Sequence, residues 1–290
     1  MKKVLAVSGG VDSMVMLDIF VKKFPREELV VATFDHGTRE SSEADVEFVS
    51  EVGSALCIPV YRGRAELGAG VSEEKARAAR YDFLRKIALR ERGEIFTAHH
   101  LDDLVETVAI NFFRGTGFRG LAPFSSFGVR RPFLDGFLEP EEFGFKAFDK
   151  RAILRYAAER GVRFREDPTN ASDEYLRNRV RERVFNLNFE TKREVFQLWR
   201  EQREIIREIT GIIETILPED RKYEREWFFD LEEGVSLEIL REGLIRAGAS
   251  ATRPQTLEFL DAIRTYLPGK KFNLPGNKLV EIRKNEFFLN

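Results

Sequence analysis

Short apolar runs separated by amphipathic stretches recur along the first hundred residues. Lys3–Val7 (KVLAV), Leu29–Phe34 (LVVATF), Ile58–Arg62 (IPVYR) and Glu94–Ala98 (EIFTA) are each long enough for one strand. Between the first two, Met14, Leu17, Val21 and Phe24 fall roughly on one helical face. Ser42–Leu56 is helical in pattern, and a helix N-capped by Ser72, with Glu73 and Glu74 complementing its dipole, runs to about Arg92. Asp102–Arg114 is the next helix, ended by Gly115-Thr116-Gly117. Strands alternating with helices of this length predict an α/β fold, a doubly wound five-stranded parallel sheet of Rossmann-like type.

The pattern changes after Arg131-Pro132. A Phe-rich stretch, Phe133–Phe148, shows no clear period. A helix is predicted from about Asp149 to Arg160, stopping at Gly161. Asp167-Pro168-Thr169-Asn170 is turn chemistry. Helices resume over Glu174–Val184 and Glu190–Ile216, the second long and charged. Pro218–Arg225 is polar and reads as a linker, followed by helices over Ser236–Ala247 and Gln255–Tyr266. Three short strands near 271–275, 278–283 and 286–289 would close the chain as a meander. The expected organisation is an N-terminal domain over 1–186, a helical connector over 187–222 and a small α+β C-terminal domain over 223–290.

Composition narrows the class. With 33% charged and 43% hydrophobic residues, the 290-residue chain suits a soluble protein able to bury a sizeable core. Cys57 stands alone, so neither an internal disulfide nor a cysteine-held cluster can form, and a reducing, cytoplasmic setting is expected. No run of 18 apolar residues and no signal peptide before Val4–Val7 are seen, which predicts no membrane association. The net charge of −2 gives no global pointer to nucleic acid, but Lys150–Arg207 holds fifteen basic against ten acidic residues. A locally basic face is compatible with RNA, although such runs are more often solvated helix surface.

The chemistry starts after the first strand. Ser8-Gly9-Gly10-Val11-Asp12-Ser13 opens the following helix. Two glycines let backbone N–H groups approach an anion, and the helix start adds unpaired donors. The serines add hydroxyl donors, and Asp12 can hold Mg²⁺ against phosphate oxygens. The loop lacks the lysine of the Walker pattern. It resembles instead the SGGxDS loop of the N-type ATP pyrophosphatases (PP-loop superfamily), which implies ATP cut between its α and β phosphates. A simple turn is the bland alternative.

If the sheet runs 3-2-1-4-5, the end of strand four lies beside that loop, at the switch point where open α/β sheets bind ligands. It carries Ala98-His99-His100-Leu101-Asp102-Asp103-Leu104-Val105-Glu106-Thr107. Asp102 and Glu106 are four apart and Asp103 and Glu106 three apart, so at least one pair shares a helix face. Like charges so placed suggest a cation between them, Mg²⁺ or a substrate ammonium. Acids in a first helical turn also serve as ordinary dipole partners. A zinc site from His99, His100 and Asp103 is disfavoured because adjacent strand-end side chains point apart.

HHLDDLVET followed by RGTGFRGLAPF resembles the second signature of the tRNA(Ile)-lysidine synthetase family. FDHGTRESSEADVEFV, EEKARAARYDFL and EDPTNASDEYLRNRVRERV are similar to the same family, collinear over residues 4–184. The last 60 residues resemble its small C-terminal, tRNA-binding domain more loosely. Asp135–Phe148 looks like an insertion relative to that pattern, and the additional C-terminal domain of longer members is not expected.

The resemblance implies an ATP- and Mg²⁺-dependent ligase that joins free L-lysine to C2 of cytidine 34 in tRNA(Ile) with anticodon CAU. ATP adenylates the base, releasing pyrophosphate, and the ε-amine of lysine displaces AMP. Ser8, Gly9, Gly10, Val11, Asp12 and Ser13 would hold pyrophosphate and metal, with Phe34, Asp35 and His36 near the adenosine. Asp103 and Glu106 would take a lysine ammonium, α or ε being open, and Asp102 would lie near the metal or the base. Arg80 would face phosphate or developing negative charge; its bland reading is a surface arginine. Arg114, Arg119, Arg177, Asn178, Arg179 and Arg181 would meet tRNA, and homodimerisation stays open. Rival readings are a tRNA cytidine thiolase, which one cysteine argues against, another PP-loop amide- or adenylate-forming synthetase, and a non-catalytic tRNA-binding module.

Overall fold

Val4 and Leu5 are adjacent and both fully buried. Successive strand side chains leave opposite faces, so this segment must be covered on both sides. The computed structural model describes residues 1–35, 41–65, 73–124, 128–165, 175–249, 251–274 and 278–289. In it Lys2–Ala6 (β1), Leu29–Asp35 (β2), Val60–Arg64 (β3), Gly93–Thr97 (β4) and Val129–Arg130 (β5) form an all-parallel sheet in the order β3-β2-β1-β4-β5. The doubly wound fold expected from the strand–helix alternation is therefore present.

The two sheet faces carry separate cores. Leu5, Val31 and Phe96 pack with Val15, Leu17 and Phe20 of α1 (Val11–Lys23) and Val49 of α2 (Ser41–Ala55). Val4, Val30, Ala32 and Ile95 pack with Tyr81, Leu84 and Ile87 of α3 (Glu73–Glu91). Right-handed crossovers require this switch of face once the chain turns from β3 back to β4. The reversal lies between β1 and β4, so the loop after β1 and the start of α4 (Leu101–Phe113) share one end of the sheet.

The Phe-rich stretch has no period because it is neither strand nor helix. It runs through turns and a single 3₁₀ segment, Pro140–Phe143, and delivers Phe133, Leu138, Phe145 and Phe148 into the core beside α1. Phe137 stacks on Phe20 with ring centroids 5.7 Å apart, and Phe133 lies 4.7 Å from Phe148. What looks like an insertion in sequence is thus an aromatic layer. It leads into α5 (Lys150–Arg160), N-capped by Asp149, whose Oδ1 accepts from Ala152 N at 2.8 Å, and ended by Gly161 at φ 62. Tyr156 of α5 donates to Asp18 of α1 at 2.8 Å.

Then follow α6 (Tyr175–Asn186), which packs on α4, and the long α7 (Phe189–Ile216). The chain divides into two compact units, Met1–Gln202 and Arg203–Asn290, with the division inside α7. In the second unit Tyr223, Phe228, Leu240, Phe259, Val280 and Phe287 share a core. Two expectations are corrected here. Pro218–Arg225 is no free linker, because Lys222–Glu224 (β6) buries Tyr223 completely and pairs antiparallel with Glu286–Phe288 (β9). The last strands are likewise not a simple meander: Lys270–Leu274 (β7) pairs with Lys278–Ile282 (β8), whereas β9 pairs with β6. Trp227–Asp230 (α8), Glu233–Arg246 (α9) and Arg253–Thr265 (α10) complete the unit. The buried Arg225 guanidinium donates to the carbonyls of Ile263 at 2.8 Å, Tyr266 at 3.1 Å and Arg283 at 3.1 Å, tying the end of α10 to the β8–β9 turn. No helix of the described residues is long and apolar enough to cross a membrane.

Phe148→Ala should lower the unfolding free energy by about 3–5 kcal/mol, the usual cost of emptying a buried aromatic site. Phe112→Ala, at a ring that is 69% exposed, should stay within about 0.5 kcal/mol. Urea denaturation followed by far-UV circular dichroism measures both.

Candidate active site

The Ser8–Ser13 loop is clamped by its own hydroxyls. Ser13 Oγ accepts from Ser8 N at 3.1 Å and donates to Gly10 O at 2.9 Å. Gly9 sits at φ +90, where a side chain would be strained, and its carbonyl accepts from Arg165 N at 3.0 Å. Among the described residues no side chain caps the start of α1. Its first-turn N–H groups therefore keep their hydrogen-bonding capacity for an anion.

Three helix starts meet beside this loop. Asp12 opens α1, His100 precedes α4, and Lys150 opens α5. Asp12 Oδ1 lies 2.6 Å from Lys150 Nζ and 3.4 Å from His100 Nε2, and Asp103 Oδ2 lies 3.5 Å from the same His100 nitrogen. Burial opposes charge on Asp12, but the hydrogen bond and charge of His100, joined by Lys150, hold its carboxyl well below the usual range. Burial likewise opposes charge on His100, yet Asp103 and Asp12 outweigh it and push the imidazole up to about 9.

Its neighbour has the opposite fate. Burial, reinforced by the charges of Arg131, Arg80 and Arg77, drives His99 well below its ordinary value. Thr97 Oγ1 lies 2.9 Å from His99 Nδ1, and the ring packs 4.7 Å from Phe124. Adjacent histidines thus present one imidazolium and one neutral imidazole at neutral pH. Arg80 places its charge near His99, and its buried Nε has no hydrogen-bond partner among the described residues.

The acidic residues of α4 do not share one partner. Asp103 Oδ2 accepts from His100 N at 2.9 Å, capping the helix start. Glu106 is buried and lies 3.4 Å from Arg181 Nε of α6. Both Asp102 oxygens are engaged: Oδ1 with Lys192 Nζ at 2.7 Å and Oδ2 with Lys150 N at 2.9 Å. Lys192, in the first turn of α7, is fully buried and also lies 3.7 Å from Asp149. Among the described residues no three His, Cys, Asp or Glu gather as metal ligands. A phosphate-held Mg²⁺ needs only one or two carboxylates, and Asp12, a third exposed at the loop, fits that demand.

Other candidates sit further out. Asp35 is buried, 3.6 Å from Arg64 Nε, and Phe34 packs on Phe83 at 5.3 Å. His36 lies outside the described residues. Arg114 ends α4 and is exposed, and Arg119 lies in the 3₁₀ turn Phe118–Leu121 with its guanidinium 5.7 Å from the Phe118 ring. Arg177 and Asn178 belong to α6, but their side chains lie outside the described residues; Arg179 is exposed. Sequence reasoning missed Lys150, Lys192 and Arg131. A lysine at the first position of a helix, the wrong end for its charge, was the available signal for Lys150. Nothing local marked the other two.

A family model described as a PP-loop domain matches residues 1–188. The chain belongs to the PP-loop domain family. Membership brings ATP binding. Within the family, a tRNA(Ile)-lysidine synthase of Thermotoga sp. (strain RQ2) is 38% identical over 192 residues, 63% of this chain and 44% of the relative. One from Enterococcus faecalis is 35% identical over 190 residues, 63% of this chain and 40% of the relative. The chain thus spans less than half the length of these curated relatives. Among solved structures, the U34-tRNA thiolase NcsA of Methanococcus maripaludis, with its [4Fe-4S] cluster, superposes with a TM-score of 0.55 at 17% identity, over 71% of this chain and 73% of that one. That likeness speaks for the PP-loop fold alone.

Lys192→Met should cost about 3–5 kcal/mol of stability, because it leaves a buried carboxylate without its cation. Adding Asp102→Asn should recover part of the loss. Urea denaturation of the single and double variants is the check, and equal stability of wild type and Lys192→Met would remove the pair from the account.

Proposed function

We propose that this chain carries the activity of a tRNA(Ile)-lysidine synthase: ligation of L-lysine to C2 of cytidine 34 in a CAU-anticodon tRNA at the expense of ATP. The observation that carries the reading is the junction at the ends of β1 and β4. Asp12 of the Ser8–Ser13 loop and Asp103 of α4 lie 3.4 and 3.5 Å from the same His100 nitrogen, at the end of the sheet where β1 and β4 adjoin, with Glu106 one turn further along α4. The likeness to curated lysidine synthases supports it.

In this scheme the cytosine O2 attacks the α-phosphorus and pyrophosphate departs toward Ser8, Gly9, Gly10, Val11, Asp12 and Ser13. The lysine ε-nitrogen then bonds to C2, the C2–O2 bond breaks, and AMP leaves with that oxygen. An amide-like oxygen is a poor leaving group and a phosphate ester a good one, which is why adenylation comes first. Mg²⁺ on Asp12 supplies charge neutralisation for the phosphates. Asp102 stays a candidate at the edge of that site, with its oxygens on Lys192 and the start of α5. Phe34 and Asp35 are assigned to the adenosine side, as is His36 from the sequence alone, and Arg80 to the reacting phosphate.

Free lysine arrives as an ammonium of pKa about 10.4 and attacks only when neutral. Asp103 and Glu106 guide it in, and one of them accepts its proton if it is the ε-group that they hold. Arg114, Arg119, Arg177, Asn178, Arg179 and Arg181 meet the anticodon arm, where unstacked bases are read by edge contacts together with backbone charge. The cytoplasm is the expected compartment.

ATP–pyrophosphate exchange that depends on CAU tRNA, followed by lysine-dependent AMP release, tests the reading. Exchange without tRNA, or turnover with sulfide in place of lysine, would overturn it. Asp103→Asn and Glu106→Gln should each raise the lysine requirement more than the ATP requirement. Each loses a charge-assisted hydrogen bond of about 1.5–3 kcal/mol, roughly ten- to hundredfold. Normal lysine dependence with failed adenylation would move the pair to the nucleotide. Arg179→Ala should weaken tRNA binding and flatten its log–log salt dependence by about one unit; an unchanged slope returns Arg179 to solvated surface.

A further inference from the structure

The phosphate loop carries no cation of its own: its six residues are two serines, two glycines, a valine and an aspartate. A triphosphate brings several negative charges into a corner where Asp12 is already ionised. Among the described residues, the lysine ammonium that meets the loop comes from far along the chain, Lys150, 138 residues after Asp12. We propose that Lys150 is a direct ligand of the polyphosphate of ATP, the cation that the loop itself lacks. The inference rests on the reading of Ser8–Ser13 as the ATP site and adds to it a residue on a different helix.

Four observations carry it. Lys150 Nζ donates to Asp12 Oδ1 at 2.6 Å, and the two side chains are 29% and 32% exposed, open to a ligand rather than sealed in the core. An ammonium has three N–H donors, so a contact with Asp12 leaves donors for phosphate oxygens. A lysine at the first position of a helix opposes the dipole, and a residue that breaks a local rule beside a ligand site is where function is expected. Finally, the position is firmly held. Lys150 N donates to Asp102, whose other oxygen is fixed by the fully buried Lys192, while Asp149 caps the same turn and Tyr156 ties α5 to α1. The long stem of Lys150 can turn from Asp12 toward a bound phosphate without moving the helix.

The competing account is that Lys150 only neutralises Asp12. Calorimetric titration with Mg²⁺–pyrophosphate and with AMP separates the two. Lys150→Met should weaken pyrophosphate about ten- to hundredfold and leave AMP within about twofold, whereas Lys150→Arg should recover much of the affinity. The loss should persist in the Asp12→Asn background, where no charge remains to be neutralised. Unchanged pyrophosphate affinity in Lys150→Met, or a loss that disappears in Asp12→Asn, overturns the proposal. If wild type itself binds neither ATP nor pyrophosphate, it is the reading of the loop that has failed, and the Lys150 assignment falls with it.

Discussion

Asp102 accepts a hydrogen bond from the first backbone N–H of α5 with one oxygen and an ammonium from the first turn of α7 with the other. It stands at the start of α4, so a single buried carboxylate fixes how three helix ends meet. A carboxylate in that position is tolerated only while both partners are present, since desolvation alone would disfavour its charge. The rest of the site hangs on this junction. Asp12, His100 and Lys150 are brought within hydrogen-bonding reach because α4 and α5 begin where Asp102 joins them.

Electrostatics divide the site into unlike halves. Toward the Ser8–Ser13 loop, Asp12 and the buried His100 favour each other's charged form, as neighbouring opposite charges do. Toward β4, burial, reinforced by the charges of Arg131, Arg80 and Arg77, holds His99 well below its ordinary value. The same backbone step thus carries two imidazoles in different charge states, which no property of the His-His dipeptide distinguishes. Glu106 and Asp103 are divided in the same way. Three residues apart on α4, they engage Arg181 and His100 respectively, so a shared helix face does not amount to a shared partner.

The aromatic layer explains how the junction is held rigid. Phe133, Phe145 and Phe148 share one core with residues of α1 and α5, and Leu101 N donates to Phe148 O at 3.0 Å, linking that layer directly to the start of α4. Each such ring contributes about 1.5–3 kcal/mol by leaving water. A segment without helix or strand periodicity can still be core when it supplies large side chains to an interior whose backbone is set by neighbouring elements.

The sheet, its helices and the phosphate loop were legible in the residues themselves, because strand and helix periods, caps and glycine turns are local. KVLAV and LVVATF could only be strands covered on both faces, and the right-handed crossover rule then left one natural place for the switch point. The strand Lys222–Glu224 was not legible: one tyrosine between two charges carries no pattern, and its partner lies at the far end of the chain. The partners of Lys150 and Lys192 were hidden for the same reason, although the misplaced charge of Lys150 at a helix start was visible. Their carboxylates stand 138 and 90 residues away in sequence, and no local rule signals such a pairing. Residue order determined the elements and the loop chemistry, since those energies act between near neighbours. Which charges face one another, and hence which histidine is protonated and which lysine reaches the phosphate loop, was decided only when the packed helices set distances of a few ångströms in a low-dielectric interior.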